Sequence, residues 1–294
     1  MLVQYNSQLN TKSPTFKSIY YQPTSYRDTF GVKRETQNST GKRTDLDYKK
    51  LSKIISQRFN DYDRVNIRLM NVSDGTEGYF LLANLANEVG LDEVEKKYSI
   101  TATDVCKDVI ETYPKRGLVH LFKGESDELV VKNNPMFVEV DKAQYDNLFE
   151  TANYEKLYKI KPEFRKFCKF GVFDFQDGLS KMNDRGNTVV AIRNCLRESF
   201  GDTKSALIVY NIASKLKGKS LFLTGDYDRG MPLFESALDD NFVEIERNVW
   251  AKRDFEVPDG YGLKLSEKLK ESCGFINKQA AVSNYATKLM KKIR

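Results

Sequence analysis

Val65-Asn66-Ile67-Arg68-Leu69-Met70, then Asn71-Val72-Ser73-Asp74-Gly75-Thr76, then Glu77-Gly78-Tyr79-Phe80-Leu81-Leu82-Ala83-Asn84-Leu85-Ala86-Asn87-Glu88-Val89-Gly90 is the stretch that decides the fold. Its first six residues alternate apolar and polar side chains, the pattern of a short strand. A polar turn containing one glycine follows. Leu81, Leu82, Leu85, Ala86 and Val89 then share one side of a helix, which Gly90 ends. A strand that turns sharply into a helix is the opening unit of a parallel α/β sheet.

The same rhythm continues outward. Tyr98-Ser99-Ile100-Thr101-Ala102-Thr103 reads as a second strand that stops at Asp104. Further strands are expected over 170–175, 188–192 and 220–224, with a helix over 204–216 before the last of them. Two closing strands, 242–246 and 248–252, are close enough for a tight antiparallel hairpin. Upstream, Leu51, Ile54, Ile55 and Phe59 follow helical spacing, with Thr44 or Asp45 as the cap. Strands separated by helices predict an α/β, Rossmann-like sheet covered on both faces. Residues 1–44, rich in Ser, Thr, Asn, Gln and Lys, read as an irregular arm before a domain spanning 45–253. Within 113–168 the rhythm breaks, and 129–168 reads as a small inserted β-subdomain. Residues 254–294 read as a helical tail.

The chain has 294 residues, 40% hydrophobic and 12% aromatic, with a formal charge of +6. This is a globular composition, since disordered chains are poorer in aromatic and branched side chains. No apolar run approaches the roughly 20 residues of a membrane helix, and the first residues lack the apolar core of a secretory leader. A cytoplasmic protein without a membrane span is expected. The basic excess sits in residues 1–50 and in the segment from Asn284 onward, and the middle is faintly acidic, so no nucleic-acid partner is expected. Cys106, Cys168, Cys195 and Cys273 form no CxxC pair, which argues against a zinc site and a disulfide scaffold. His120 is the only histidine. Any chemistry must manage almost without imidazole.

In open α/β sheets, ligands bind beyond the carboxyl ends of the strands. Gly75 lets a ligand approach the backbone there, or else serves only a sharp turn. The segment is not G-x-G-x-x-G, so a dinucleotide diphosphate cradle is disfavoured. Asp104 at the second strand's end is placed to accept from ribose hydroxyls, or to cap a helix. Together the two features favour a nucleoside pocket.

Ser73-Asp74-Gly75-Thr76-Glu77-Gly78-Tyr79, Ala102-Thr103-Asp104-Val105 and Arg193-Asn194 resemble three segments of the CheR-type chemotaxis-receptor methyltransferases. These are the S-T-G-E-E-P-Y turn, the A-T-D-I segment and the C-R-N-x-x-I-Y-F segment, in the same order from about residue 64 to 253. Leu157-Tyr158-Lys159-Ile160-Lys161-Pro162-Glu163, Leu221-Phe222-Leu223-Thr224-Gly225 and Thr24-Ser25-Tyr26-Arg27-Asp28 add to the likeness.

The resemblance implies a class I methyltransferase sheet and S-adenosyl-L-methionine as cofactor. It also implies a protein substrate with an acceptor glutamate, touched by the insert. Ser73 and Gly75 would form the turn, Glu77 would lie beside the cofactor's amino-acid end, and Asp104 would hold the ribose. Asp174 and Phe175 would meet the adenine, although Asp174 could instead pair with Arg193. Arg193 and Asn194 would line the pocket floor, with Thr24 and Arg27 closing it from the arm. Arg27, the catalytic candidate, would orient the acceptor carboxylate or else remain a solvated arm residue. The chain departs from the family at Thr76, at Gly78 in place of a proline, at Glu198 in place of a tyrosine, and at Gly225-Asp226-Tyr227-Asp228 in place of G-H-S-E. These departures keep open a second reading, a non-catalytic descendant that binds a nucleoside or a protein partner.

Overall fold

A computed structural model describes residues 47–70, 76–104, 107–112, 114–122, 131, 134–141, 143–145, 154–173, 179 and 182–253. The arm, the tail, Cys106, Cys273 and the site candidates Thr24, Arg27, Ser73, Gly75, Asp174 and Phe175 lie outside these residues.

Helix α1 (Tyr48–Arg58) begins where Asp47 accepts a hydrogen bond from the Lys50 N–H at 3.0 Å. The cap is therefore Asp47 and not Thr44 or Asp45, because burial of Tyr48 fixes the first turn. Strand β1 (Val65–Met70) leads to α2 (Thr76–Val89). Gly90, at φ 85°, turns the chain into α3 (Leu91–Lys97). Acidic residues open α3 and lysines close it, complementing the helix dipole. Strand β2 (Tyr98–Asp104) includes Asp104 as its last residue. After α4 (Lys107–Thr112) come β3 (Leu118–Phe122), β4 (Phe137–Glu139) and β5 (Tyr154–Ile160), which form a separate antiparallel sheet in the order β3-β5-β4. This sheet begins at Leu118, ahead of residue 129, and ends at Ile160. Cys168 already belongs to β6 (Cys168–Val172) of the main sheet.

The main sheet is completed by β7 (Thr188–Ile192), α5 (Leu196–Lys215), β8 (Leu221–Leu223), α6 (Pro232–Asn241), β9 (Phe242–Glu246) and β10 (Val249–Lys252). Its seven strands run β6-β2-β1-β7-β8-β10-β9. The first five are parallel and follow the 3-2-1-4-5 order of doubly wound sheets. The last two form an antiparallel hairpin turned at Arg247-Asn248, with β10 inserted between β8 and β9. The fold is α/β and Rossmann-like, as the alternation predicts.

Two boundaries differ from the pattern. The third strand covers 168–172 rather than 170–175, because pairing runs from Ile100↔Cys168 to Asp104↔Val172 and β2 sets its span. Helix α5 begins at Leu196 rather than 204 and breaks at Gly201 (φ 68°). Asp202, just past the break, accepts from the N–H groups of Leu233 and Phe234 and so caps α6.

The period-2 rule explains the two cores. Val189, Ala191, Leu221, Leu223, Val249 and Ala251 face the α1–α2 side. Val190, Ile192, Phe222 and Trp250 face α5 and α6. Helix α2 lies so close to the sheet that a Cβ on Gly78 would stand 2.8 Å from Cys168 Sγ and 3.3 Å from Phe170. Replacing Gly78 with Ala is expected to cost about 1–3 kcal/mol by overpacking. Urea unfolding of Gly78→Ala alone and in a Cys168→Ala background checks this. The cost should shrink when the sulfur is removed, and an unchanged cost would assign it elsewhere.

Candidate functional site

Strand register fixes what meets at the carboxyl edge. Met70 is level with Thr103 on one side and with Ile192 on the other. Asp104 and Arg193, each one residue further on, therefore end β2 and β7 in the same row. They are two strand spacings apart, roughly 10 Å, with β1 between them.

Arg193 follows a strand whose five residues are all buried, and it carries its charge into that setting. Its Nη1 donates to Glu77 Oε1 at 2.5 Å and to the Tyr48 hydroxyl at 2.9 Å. The guanidinium also stands 6.0 Å from the Tyr48 ring centroid. Three elements, α1, α2 and the end of β7, thus converge on one cation. The ion pair is asymmetric: the Arg193 side chain is 4% exposed and that of Glu77 is 18% exposed. The carboxylate is the more exposed member. Arg193 takes Glu77 as an ionic partner; the Asp174 pairing that chain order left open lies outside the described residues.

Asp104 is buried, and its carbonyl accepts from the Phe173 N–H at 2.9 Å. Phe173 is 38% exposed, an aromatic ring placed next to the residue that ends β2. The resemblance assigned Asp174 and Phe175 to the adenine and left Phe173 unmentioned, inside a strand expected to run to 175; the strand ends at Val172. Tyr48 was missed as well. It lies three residues before Leu51, ahead of the apolar positions that the helical spacing picks out.

Asn194 does not join the Arg193 cluster. It adopts φ 57° and its Oδ1 accepts from the Tyr227 N–H at 3.0 Å. A Cβ at Gly225 would stand 2.0 Å from that oxygen, so only glycine permits the approach. Asp228 completes the joint by accepting from the N–H groups of Asn194 (2.8 Å), Leu196 (2.9 Å) and Arg197 (3.3 Å). The start of α5 is thus already occupied by a carboxylate of the chain itself. Asp226 turns outward to Arg247, Asn248 and Arg229. Burial raises its carboxyl, but the Asn248 hydrogen bond and the arginines prevail and hold it below the usual range. Asp226, Arg229 and Arg247, with Glu244, Ile245 and Glu246, line an open basin of about 710 Å³ at the hairpin end of the edge. Its arginines are paired to Asp226 and Glu244.

Among the described residues no group of His, Cys, Asp and Glu could hold a metal ion. Burial raises the pKa of the Cys168 thiol well above the usual thiol range. His120 lies on β3 of the small sheet. Glu198 falls in the first turn of α5. Among the described residues no helix is long and apolar enough to cross a membrane.

No protein-family model matches the chain, and no curated protein matches it. Among solved structures it is similar to WbdD in a co-crystal with a kinase inhibitor, with a TM-score of 0.35 and 8% identity. The match covers 70% of this chain and 40% of that one. The fold is therefore read from the chain's own strand order.

Burial pushes the Asp228 carboxyl up to about 6, against the pull of the backbone N–H groups it accepts from. The folded state thus holds this proton more tightly than the unfolded chain, whose aspartates titrate near ~3.9. Its contribution to stability is expected to rise as pH falls from 7 toward 4, by roughly 2–3 kcal/mol. Melting temperatures of the wild type and Asp228→Asn between pH 4.5 and 7.5 check this. The wild type should gain on the variant as the solution is acidified, and a wild type that loses ground to it would refute this.

Proposed function

We propose that this chain is an S-adenosylmethionine-dependent methyltransferase whose acceptor is a glutamate carboxylate on a protein. The observation that carries the reading is the row at the carboxyl edge: buried Asp104 at one end, and the Glu77–Arg193 pair two strand spacings away. The donor set fits the cofactor. A carboxylate suits two ribose hydroxyls, exposed Phe173 suits a flat base, and an ion pair suits the zwitterionic amino-acid end. The departure from the simple 3-2-1-4-5-6 order, with an antiparallel strand inserted beside the fifth, agrees with the class I methyltransferase sheet that the motifs imply.

When bound, the cofactor supplies a methyl group already activated by a sulfonium. The protein's task is then alignment, which contributes up to roughly 7–11 kcal/mol in well-oriented reactions. A glutamate acceptor, with a reference pKa near ~4.3, is ionised at neutral pH and needs no general base. That requirement suits a chain with one histidine, which lies on the small sheet. Arg27, Thr24, Ser73 and Gly75 keep the roles the resemblance gives them as part of this proposal. A cytoplasmic setting is part of the same proposal.

A second reading, a binder without turnover, is favoured by one observation. Asp226 is committed to holding the hairpin through Arg247 and Asn248. Calorimetry with S-adenosylmethionine and S-adenosylhomocysteine, followed by transfer of labelled methyl to protein acceptors, distinguishes the readings. The wild type should bind both nucleosides, and Asp104→Ala should weaken binding by at least about 1 kcal/mol. The methyl product should be released by mild base. Binding without transfer would support the second reading, a base-stable product would exclude a glutamate ester, and no binding would reject the nucleoside site.

A further inference from the structure

We propose that Tyr48 is a positioning residue for the amino-acid end of the cofactor, acting through Arg193 on Glu77. The proposal rests on the nucleoside reading above and extends it to a residue that touches no ligand atom.

The argument begins with one nitrogen serving two acceptors. Arg193 Nη1 donates to Tyr48 Oη at 2.9 Å and to Glu77 Oε1 at 2.5 Å. A phenol oxygen accepts without bringing charge, so it fixes the guanidinium and leaves the pair neutral overall. A second carboxylate in its place would make the cluster anionic and turn the guanidinium away from Glu77. Tyr48 is itself held: it is buried, and its ring meets Phe80 of α2 edge-on with centroids 6.0 Å apart. Arg193 is therefore fixed from α1, and Glu77 is the more exposed member of the pair. An ammonium reaching the carboxyl edge meets a carboxylate whose direction is set by a buried cation, whose own direction is set by a tyrosine hydroxyl. These contacts join α1, α2 and the end of β7, whereas Asp104 ends β2. Tyr48 thus bears on one end of the ligand and not on its nucleoside.

That separation makes the test. S-Adenosylhomocysteine carries the amino-acid end, and 5′-methylthioadenosine keeps the nucleoside and the sulfur but lacks that end. In calorimetry with the full chain, Tyr48→Phe preserves the ring and removes the hydroxyl. It is expected to weaken S-adenosylhomocysteine about tenfold and to leave 5′-methylthioadenosine within about twofold, as loss of a hydrogen bond to a charged group predicts. Glu77→Gln should show the same selectivity, and the double variant should be weaker than wild type by no more than the larger single effect, because the two residues act through one arginine. A merely structural role for Tyr48 would weaken both ligands alike or neither, and either result overturns the proposal. Additive effects in the double variant would also overturn it. A wild type that binds neither nucleoside rejects the site itself, and this result is distinct from both.

Discussion

A guanidinium placed at the end of a fully buried strand must be matched by charge and hydrogen bonds, or burying it costs several kcal/mol. Arg193 meets the charge with Glu77 and shares Nη1 between Glu77 and Tyr48, and in doing so it specifies where three elements stand. Helix α2 must start beside the end of β7 for Glu77 to reach it. Helix α1 must cross α2 at Phe80 for Tyr48 to reach it. The ion pair is thus an anchor for the carboxyl edge, and it leaves one carboxylate partly presented there.

The two edges of the sheet use their polar groups differently. At the amino edge, buried Asp184 accepts from the N–H groups of Gly186, Asn187 and Lys217 and from the Ser220 hydroxyl, so its oxygens serve the loops before β7 and β8. Gly186 and Gly218, both at positive φ, let those loops come together. Buried Lys252 donates to the carbonyls of Ala213 and Leu216 and closes the end of α5. These groups are occupied by the fold. At the carboxyl edge, Phe173 is exposed and Glu77 is partly so, beside buried Asp104 and Arg193. The Asn194–Gly225–Asp228 joint fixes the flank of that edge.

The positions where the chain departs from the methyltransferase motifs have structural uses. Gly78 stands where a side chain would collide with Cys168, so a small residue is needed for α2 to approach the sheet. Asp226 ties the hairpin turn to the end of β8. By contrast, two positions that match the motifs, Asn194 and Gly225, touch one another across the edge. The motif letters therefore include residues kept for the joint between β7 and β8, independent of any ligand.

The amino-acid pattern by itself determined the alternation of strands and helices, the closing hairpin, and the burial of opposite strand faces, because each depends on periods of 2 or 3.6 residues within one segment. It located Asp104, Glu77 and Arg193 at element ends for the same reason. It could not say that Arg193 would choose Glu77, 116 residues away, or Tyr48, 145 residues away. It could not say that the third strand would stop at Val172 and leave Phe173 beside Asp104. Those outcomes follow from strand order, register and the crossing of α1 over α2. Such long-range pairings leave no local periodicity, and only the assembled sheet brings their partners within hydrogen-bonding distance.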